Sequence, residues 1–144
     1  MIELKTIRSV PAAPDLLYVL LQERTPEQSI SHKEMPTLAE HDAFIQSDPY
    51  LAWYLICNMV DGENGKPVCA PVGSVYLTRQ REVGIFIFNK YKGSGIGTDA
   101  INLLVDKHPG TFYANINPDN FASHMFFQEK FHAKLIQHTY ECHV

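Results

Sequence analysis

Apolar residues crowd the middle of this chain and take helical spacing on either side of it. Leu51–Val60 (LAWYLICNMV) is almost continuously apolar and aromatic, as a buried strand should be. Asp61–Pro67 (DGENGKP) reads as a turn, Val72–Thr78 as a further strand, and Glu82–Phe88 as the next, reached through the tight connection Arg79–Arg81. Three such runs in succession predict an antiparallel meander.

The flanks complete the pattern. Leu4–Val10 reads as an opening strand stopped by Pro11 and Pro14, and Asp15–Arg24 as a helix with the apolar stripe Leu16, Leu17, Val19, Leu20 and Leu21. Thr25-Pro26-Glu27-Gln28 has the cap, first-position proline and third-position Gln of a second helix start. Thr37-Leu38-Ala39-Glu40 repeats the capping-box logic and starts another helix, to about Gln46. Beyond the meander, a glycine-rich turn opens a helix at about Thr98–Lys107, closed by His108-Pro109-Gly110, and Thr111–Ile116 is the next strand. Asn117 and Pro118 supply a cap and a first helical position for a helix ended by Phe131, and Ala133–His143 can form a last strand. The order is β-α-α-β-β-β-α-β-α-β. Its Glu82–Phe131 portion requires a parallel crossover, so the expectation is an α/β chain of α+β type with a mixed, mostly antiparallel sheet of six strands and helices on both faces.

Composition narrows the class. With 144 residues, 45% hydrophobic and 19% charged, residues 1–144 form one domain with a sizeable core. A net charge of −4 provides no general basic field for nucleic acid or a membrane surface, so an anionic ligand must be held locally. Cys57, Cys69 and Cys142 are odd in number and irregularly spaced, which argues against a disulfide framework and for a reducing cytoplasm. The opening MIELKTIRS has no signal-like apolar region, and no run approaches the roughly 20 apolar residues of a membrane span. His138, Cys142 and His143 lack a fourth partner, so no metal site is expected.

The segment Arg81–Gly97 (REVGIFIFNKYKGSGIG) carries the chemistry. A strand runs through a basic hinge, with Lys90 and Lys92, into glycines at a helix start, where backbone N–H groups and the positive helix end suit phosphate. A Walker loop is excluded because no lysine follows Gly97. A dinucleotide fingerprint is excluded as well, since residue 98 is threonine and the next strand ends in Asn115 and Asn117 instead of a carboxylate.

Lys92-Gly93-Ser94-Gly95-Ile96-Gly97 resembles the acyl-CoA signature of the GNAT superfamily of N-acetyltransferases, a basic or Gln residue followed two residues later by Gly-x-Gly or Gly-x-Ala. Asn120–Phe131 (NFASHMFFQEKF) resembles that family's second motif, an Asn-x-x-Ser helix start with paired apolar residues and a lysine. The element order is also the family's, and the resemblance covers about Glu82–Phe131 well. It implies the GNAT fold, with a splayed parallel strand pair at the acyl-CoA site and acetyl-CoA as cofactor. Pyrophosphate would lie on the amides of Gly93–Gly97, and pantetheine along the backbone of Phe86, Ile87 and Phe88. Asn120, Ser123 and Phe127 share one helical face beside it.

The implied reaction is direct attack of a primary amine on the thioester, with an oxyanion donor at a backbone N–H near Ile85–Ile87. Family members often have tyrosine where Phe127 stands, leaving water, Tyr140, Tyr113 or no group as the acid. Where some relatives place a glutamate base, this chain has Asn115. Glu82 is the first candidate base, working through a water that Tyr76 and Ser74 could hold. His32 and His41 lie where acceptor pockets form in the family, and Trp53-Tyr54 reads as core. Ser29–His32, Glu40–Phe44, Trp53–Leu55 and Ile116–Asn120 are similar in texture to the branch that acetylates amino-sugar nucleotides. A protein or peptide amine, a small-molecule amine such as a polyamine, a non-catalytic acyl-CoA-binding module and a pure interaction domain stay open beside it. With no length for a seventh strand, an open sheet edge is expected, which a homodimer partner would cover.

Overall fold

A computed structural model describes residues 1–25, 28 and 34–144. Five strands form one mixed sheet in the order β1-β2-β3-β4-β5. They are β1 (Ile2–Thr6), β2 (Ala52–Asp61), β3 (Pro67–Leu77), β4 (Glu82–Ile87) and β5 (Tyr113–Ala114), with α1 (Ala13–Glu23), α2 (Leu38–Gln46), α3 (Ile96–Lys107) and α4 (Phe121–Phe131) packed around them. The first three pairings are antiparallel and β4–β5 is parallel.

The sheet separates two cores, as its two-residue period requires. Ile56, Val75, Leu77 and Val83 face α3 and α4, packing with Ala100, Ile101, Leu104 and Phe127. Leu55 and Cys57 face the other way, onto Leu17 and Leu20 of α1 and Ile45 of α2. The expected capping box at Thr37 is present: its Oγ1 accepts from the Glu40 amide at 3.1 Å, and Glu40 accepts from the Thr37 amide at 3.1 Å. The helix expected to start at Thr25-Pro26-Glu27-Gln28 falls mainly outside the described residues.

Three expectations are corrected. Ala133–His143 forms no strand: its residues are unpaired and exposed, with Leu135 at 67% and Tyr140 at 82%. A strand needs a neighbour, and β5 pairs over only two residues, which leaves little ladder to extend. Among the described residues the sheet therefore has five strands, with β5 at one edge. Second, Asn117 does not cap α4. Its Oδ1 accepts from the Asp119 amide at 2.9 Å and its carbonyl from the Asn120 amide at 2.9 Å, so the turn hands the cap to Asn120. Third, Cys57 and Cys69 are joined by a disulfide, leaving Cys142 free. A bulge explains how they meet. Ile56 pairs with Gly73 but Cys57 with Pro71, so the register slips by one and Cys69 turns to the face of Cys57.

Candidate functional site

The parallel pair is short: Glu82 faces Tyr113, Val83 faces Ala114, and the pairing then stops. The Phe88 amide donates to the Val72 carbonyl and the Thr78 amide to the Glu82 carbonyl, so even-numbered residues of β4 point their backbone at β3. By the same alternation the amides of Ile85 and Ile87 face the opening beside β4. This opening belongs to a cleft of about 700 Å³ lined from both faces of the sheet.

On the α3/α4 side, the glycine turn is held in a shape that side chains resist. Gly93 and Gly95 have φ of 83° and 82°, and Gly95 is the N-cap of α3. The Ser94 hydroxyl donates to the Tyr91 carbonyl at 2.7 Å, closing the turn on itself. The first intrahelical bond runs from Asp99 to Gly95, so the amides of Ile96, Gly97 and Thr98 have no acceptor within the helix. Gly97 is closely packed instead: a Cβ there would come within 3.2 Å of the Phe126 ring on α4, tighter than ordinary van der Waals contact. Lys92, Asn120, Ser123 and Phe127 line the same cleft. Asn120 Oδ1 accepts from the Ser123 amide at 3.2 Å, which fixes the start of α4 there. Phe86 and Ile87 also line it, whereas Phe88 is buried in the α1/α2 core with its amide committed to β3. The strand backbone available to a ligand is therefore Ile85–Ile87.

On the other side, Glu82 sits at the mouth of the opening and accepts a hydrogen bond from the Asn115 amide group. The sequence set these two residues apart as candidate base and missing base; the fold makes them partners. Tyr76 lies across Gly84, where no Cβ obstructs it, and stacks on Tyr50 with centroids 3.9 Å apart and rings 3° from parallel. Burial raises the pKa of both phenols, so each holds its proton at neutral pH. Beside them the Arg24 guanidinium lies 3.9 Å over the Phe86 ring, its pKa lowered mainly by burial. Tyr50 and Arg24 carry no motif and no periodic signal. Both follow or precede an element end, and only folding brings them to β4.

Several sequence candidates lie elsewhere. Ser74 is buried and committed, accepting from Trp53 Nε1 at 2.9 Å and donating to the Tyr54 carbonyl at 3.1 Å, so it is not a water holder. His41 is buried in the helical layer, 3.2 Å from the Pro14 carbonyl and against Tyr18. Tyr113 and Tyr140 are exposed and outside the cleft lining, which removes both as acid candidates. His138, Cys142 and His143 belong to the exposed terminal segment. His32 lies outside the described residues.

The mixed sheet, with its parallel β4–β5 pair and the helix that opens after the glycine turn, is consistent with the GNAT fold that the sequence resemblance implies. The chain is similar to a domain from Methanocaldococcus jannaschii, at a TM-score of 0.69 and 22% identity, over 90% of this chain and 86% of that one. It is similar to an acetyltransferase from Thermus thermophilus, with TM-score 0.64, 20% identity and coverage of 90% and 84%. A third structure, the microcin C7 self-immunity acetyltransferase MccE in complex with acetyl-CoA and AMP, matches with TM-score 0.55 and 18% identity over 88% and 75%. No protein-family model and no curated sequence matches the chain.

Proposed function

We propose that this protein is an acetyl-CoA-dependent N-acetyltransferase that transfers the acetyl group to a primary amine by direct attack. The observation that carries this reading is the cleft lined from both faces of the sheet. Lys92 and Gly97 line it on one side and Glu82 on the other, along β4. Bound acetyl-CoA would supply an activated thioester carbonyl. Lys92 and the unpaired amides of Ile96 and Gly97 suit its pyrophosphate, and the positive-φ glycines keep side chains off that approach. Ile85 and Ile87 amides facing the opening suit amide hydrogen bonding along the arm and an oxyanion at its end.

Glu82 takes the proton from the attacking amine, directly or through a water, while Asn115 fixes the orientation of its carboxylate. Phe127 is 6% exposed and brings no acid, so the thiolate departs without a side-chain proton donor at that position. A thiol of pKa about 8.5 is a tolerable leaving group on those terms. The acceptor we propose is an amino-sugar nucleotide, with a peptide or small-molecule amine as runner-up. A second copy adding a strand at the free edge of β5 would give a homodimer, which light scattering at micromolar concentration reads directly.

The test is release of free thiol from acetyl-CoA across a panel of amino-sugar nucleotides, peptides and polyamines. Steady release with one class supports the enzyme and names its acceptor. Tight acetyl-CoA binding without release over the whole panel overturns catalysis and leaves a binding module. Absence of any thermal shift with acetyl-CoA overturns both.

A further inference from the structure

Arg24 is not used by the transfer chemistry, yet it occupies the half of the cleft from which an acceptor would enter. It is the residue that ends α1: its amide closes on the Leu21 carbonyl, and its backbone then turns extended at φ −70° and ψ 136°. One face of the guanidinium is covered by Phe86, at 3.9 Å. Its Nε is buried without a hydrogen-bond partner among the described residues, and no carboxylate among them forms an ion pair with it. The nearest acid in sequence, Glu23, is committed to the Asn89 amide at 2.7 Å.

Burying an N–H of a guanidinium without a partner is costly, and stacking on a ring does not satisfy it. Those groups lie in the plane of the fork. With one face on Phe86, the fork's edges remain for a planar pair of oxygens, the geometry in which arginine binds carboxylate and phosphate. The paired rings of Tyr50 and Tyr76 stand beside it, close enough to interact electrostatically with the charge. Glu82 marks the other end, where an amine would be received. Glu82 therefore lines the cleft at the opening and Arg24 lines it by α1, beside Glu23.

We infer that Arg24 is an acceptor-binding residue that selects amines carrying an oxyanion, either carboxylate or phosphate, over the same amines without one. This deepens the proposed N-acetyltransferase reading and rests on it for where the amine lies. The probes are matched pairs: ethanolamine against phosphoethanolamine, and an amino acid amide against the free amino acid. Binding is measured by calorimetry with coenzyme A present, and thiol release with acetyl-CoA.

Wild type should favour the anionic member of at least one pair by about tenfold to a hundredfold, the range of a charge-assisted contact. Whichever pair shows it tells phosphate from carboxylate. Arg24→Gln should erase that preference while leaving acetyl-CoA affinity intact, which also certifies the fold. Arg24→Lys keeps the charge but loses the fork, and should retain only part of the preference; it serves alone if Arg24→Gln is unstable. Equal binding of both members of both pairs in wild type overturns the inference, as does a preference that survives Arg24→Gln. Anion-dependent binding without thiol release for any amine sinks the catalytic reading and keeps the Arg24 site. Turnover of neutral and anionic amines alike does the reverse.

Discussion

Gly84→Ala should destabilise this protein, although the ordinary expectation for a strand interior is the opposite. Alanine in place of glycine normally gains about 0.5–1 kcal/mol by restricting the unfolded chain. Here the added Cβ would fall inside the Tyr76 ring, overlapping Cζ, Cε2 and Oη. Moving the ring breaks its stack on Tyr50, worth about 0.5–1.5 kcal/mol, and overpacking of this kind costs about 1–3 kcal/mol. After subtracting the glycine gain, the net loss is about 0.5–4 kcal/mol. For a chain of 144 residues that lowers the thermal midpoint by about 2–13 °C. The assay is thermal and urea unfolding of wild type, Gly84→Ala, Tyr76→Ala and the double variant. In the Tyr76→Ala background the ring is gone, so adding Gly84→Ala should cost nothing or recover about 0.5 kcal/mol. A Gly84→Ala protein as stable as wild type, or one that costs the same in both backgrounds, would refute the packing argument.

Other outcomes follow from the same structure. Glu82→Gln should lower the rate of thiol release by about a hundredfold or more; an unchanged rate would falsify the assignment of Glu82 as base. The Cys57–Cys69 bond spans a sequence separation of 12, which stabilises by about 3 kcal/mol in the chain-entropy treatment. Thiol labelling in denaturant should therefore find one thiol, Cys142, without reductant and three with it, and reductant should lower the unfolding midpoint; three thiols without reductant would contradict the bond. His108, 2.8 Å from the Tyr54 hydroxyl, has its pKa lowered from the ordinary 6.5, mainly by burial and then by Arg81 and Lys107. The unfolded chain then takes up the proton more readily, so this contribution is complete above about 6.5 and declines as pH falls below it. The unfolding midpoint of His108→Gln should show a shallower decline over that range than wild type, and identical slopes would remove His108 from the account.

What the sequence made legible was local. The capping box at Thr37, the strand from Glu82 and the glycine turn that opens α3 each follow from residue types within a few positions. What it concealed depended on registers and distances between segments. A one-residue bulge decides whether Cys57 and Cys69 share a face, and no composition rule counts bulges. Leu135, Ile136 and Tyr140 have strand-like texture, but texture does not supply the neighbour a strand requires. Asn117 and Asn120 both read as caps, and only the turn's own hydrogen bonds decide between them. In the site, Glu82 was visible as a strand-end carboxylate, while Asn115 as its partner appeared only once β5 lay beside β4.

The absence of a hydroxyl at Phe127 also changes in meaning once the cleft is assembled. Phe127 contacts Phe126 and Phe131 and belongs to the core formed with α3, so packing holds its ring where it lines the cleft. The phenols that line the cleft, Tyr50 and Tyr76, lie toward Arg24 and Glu82. Burial keeps both protonated, so neither serves as a base, and their stacked rings wall the acceptor's side of the sheet. In the proposed reaction this divides the labour by face. The α3/α4 side binds and aligns through backbone, the α1/α2 side selects the amine and removes its proton, and departure of the thiolate rests on its own acidity.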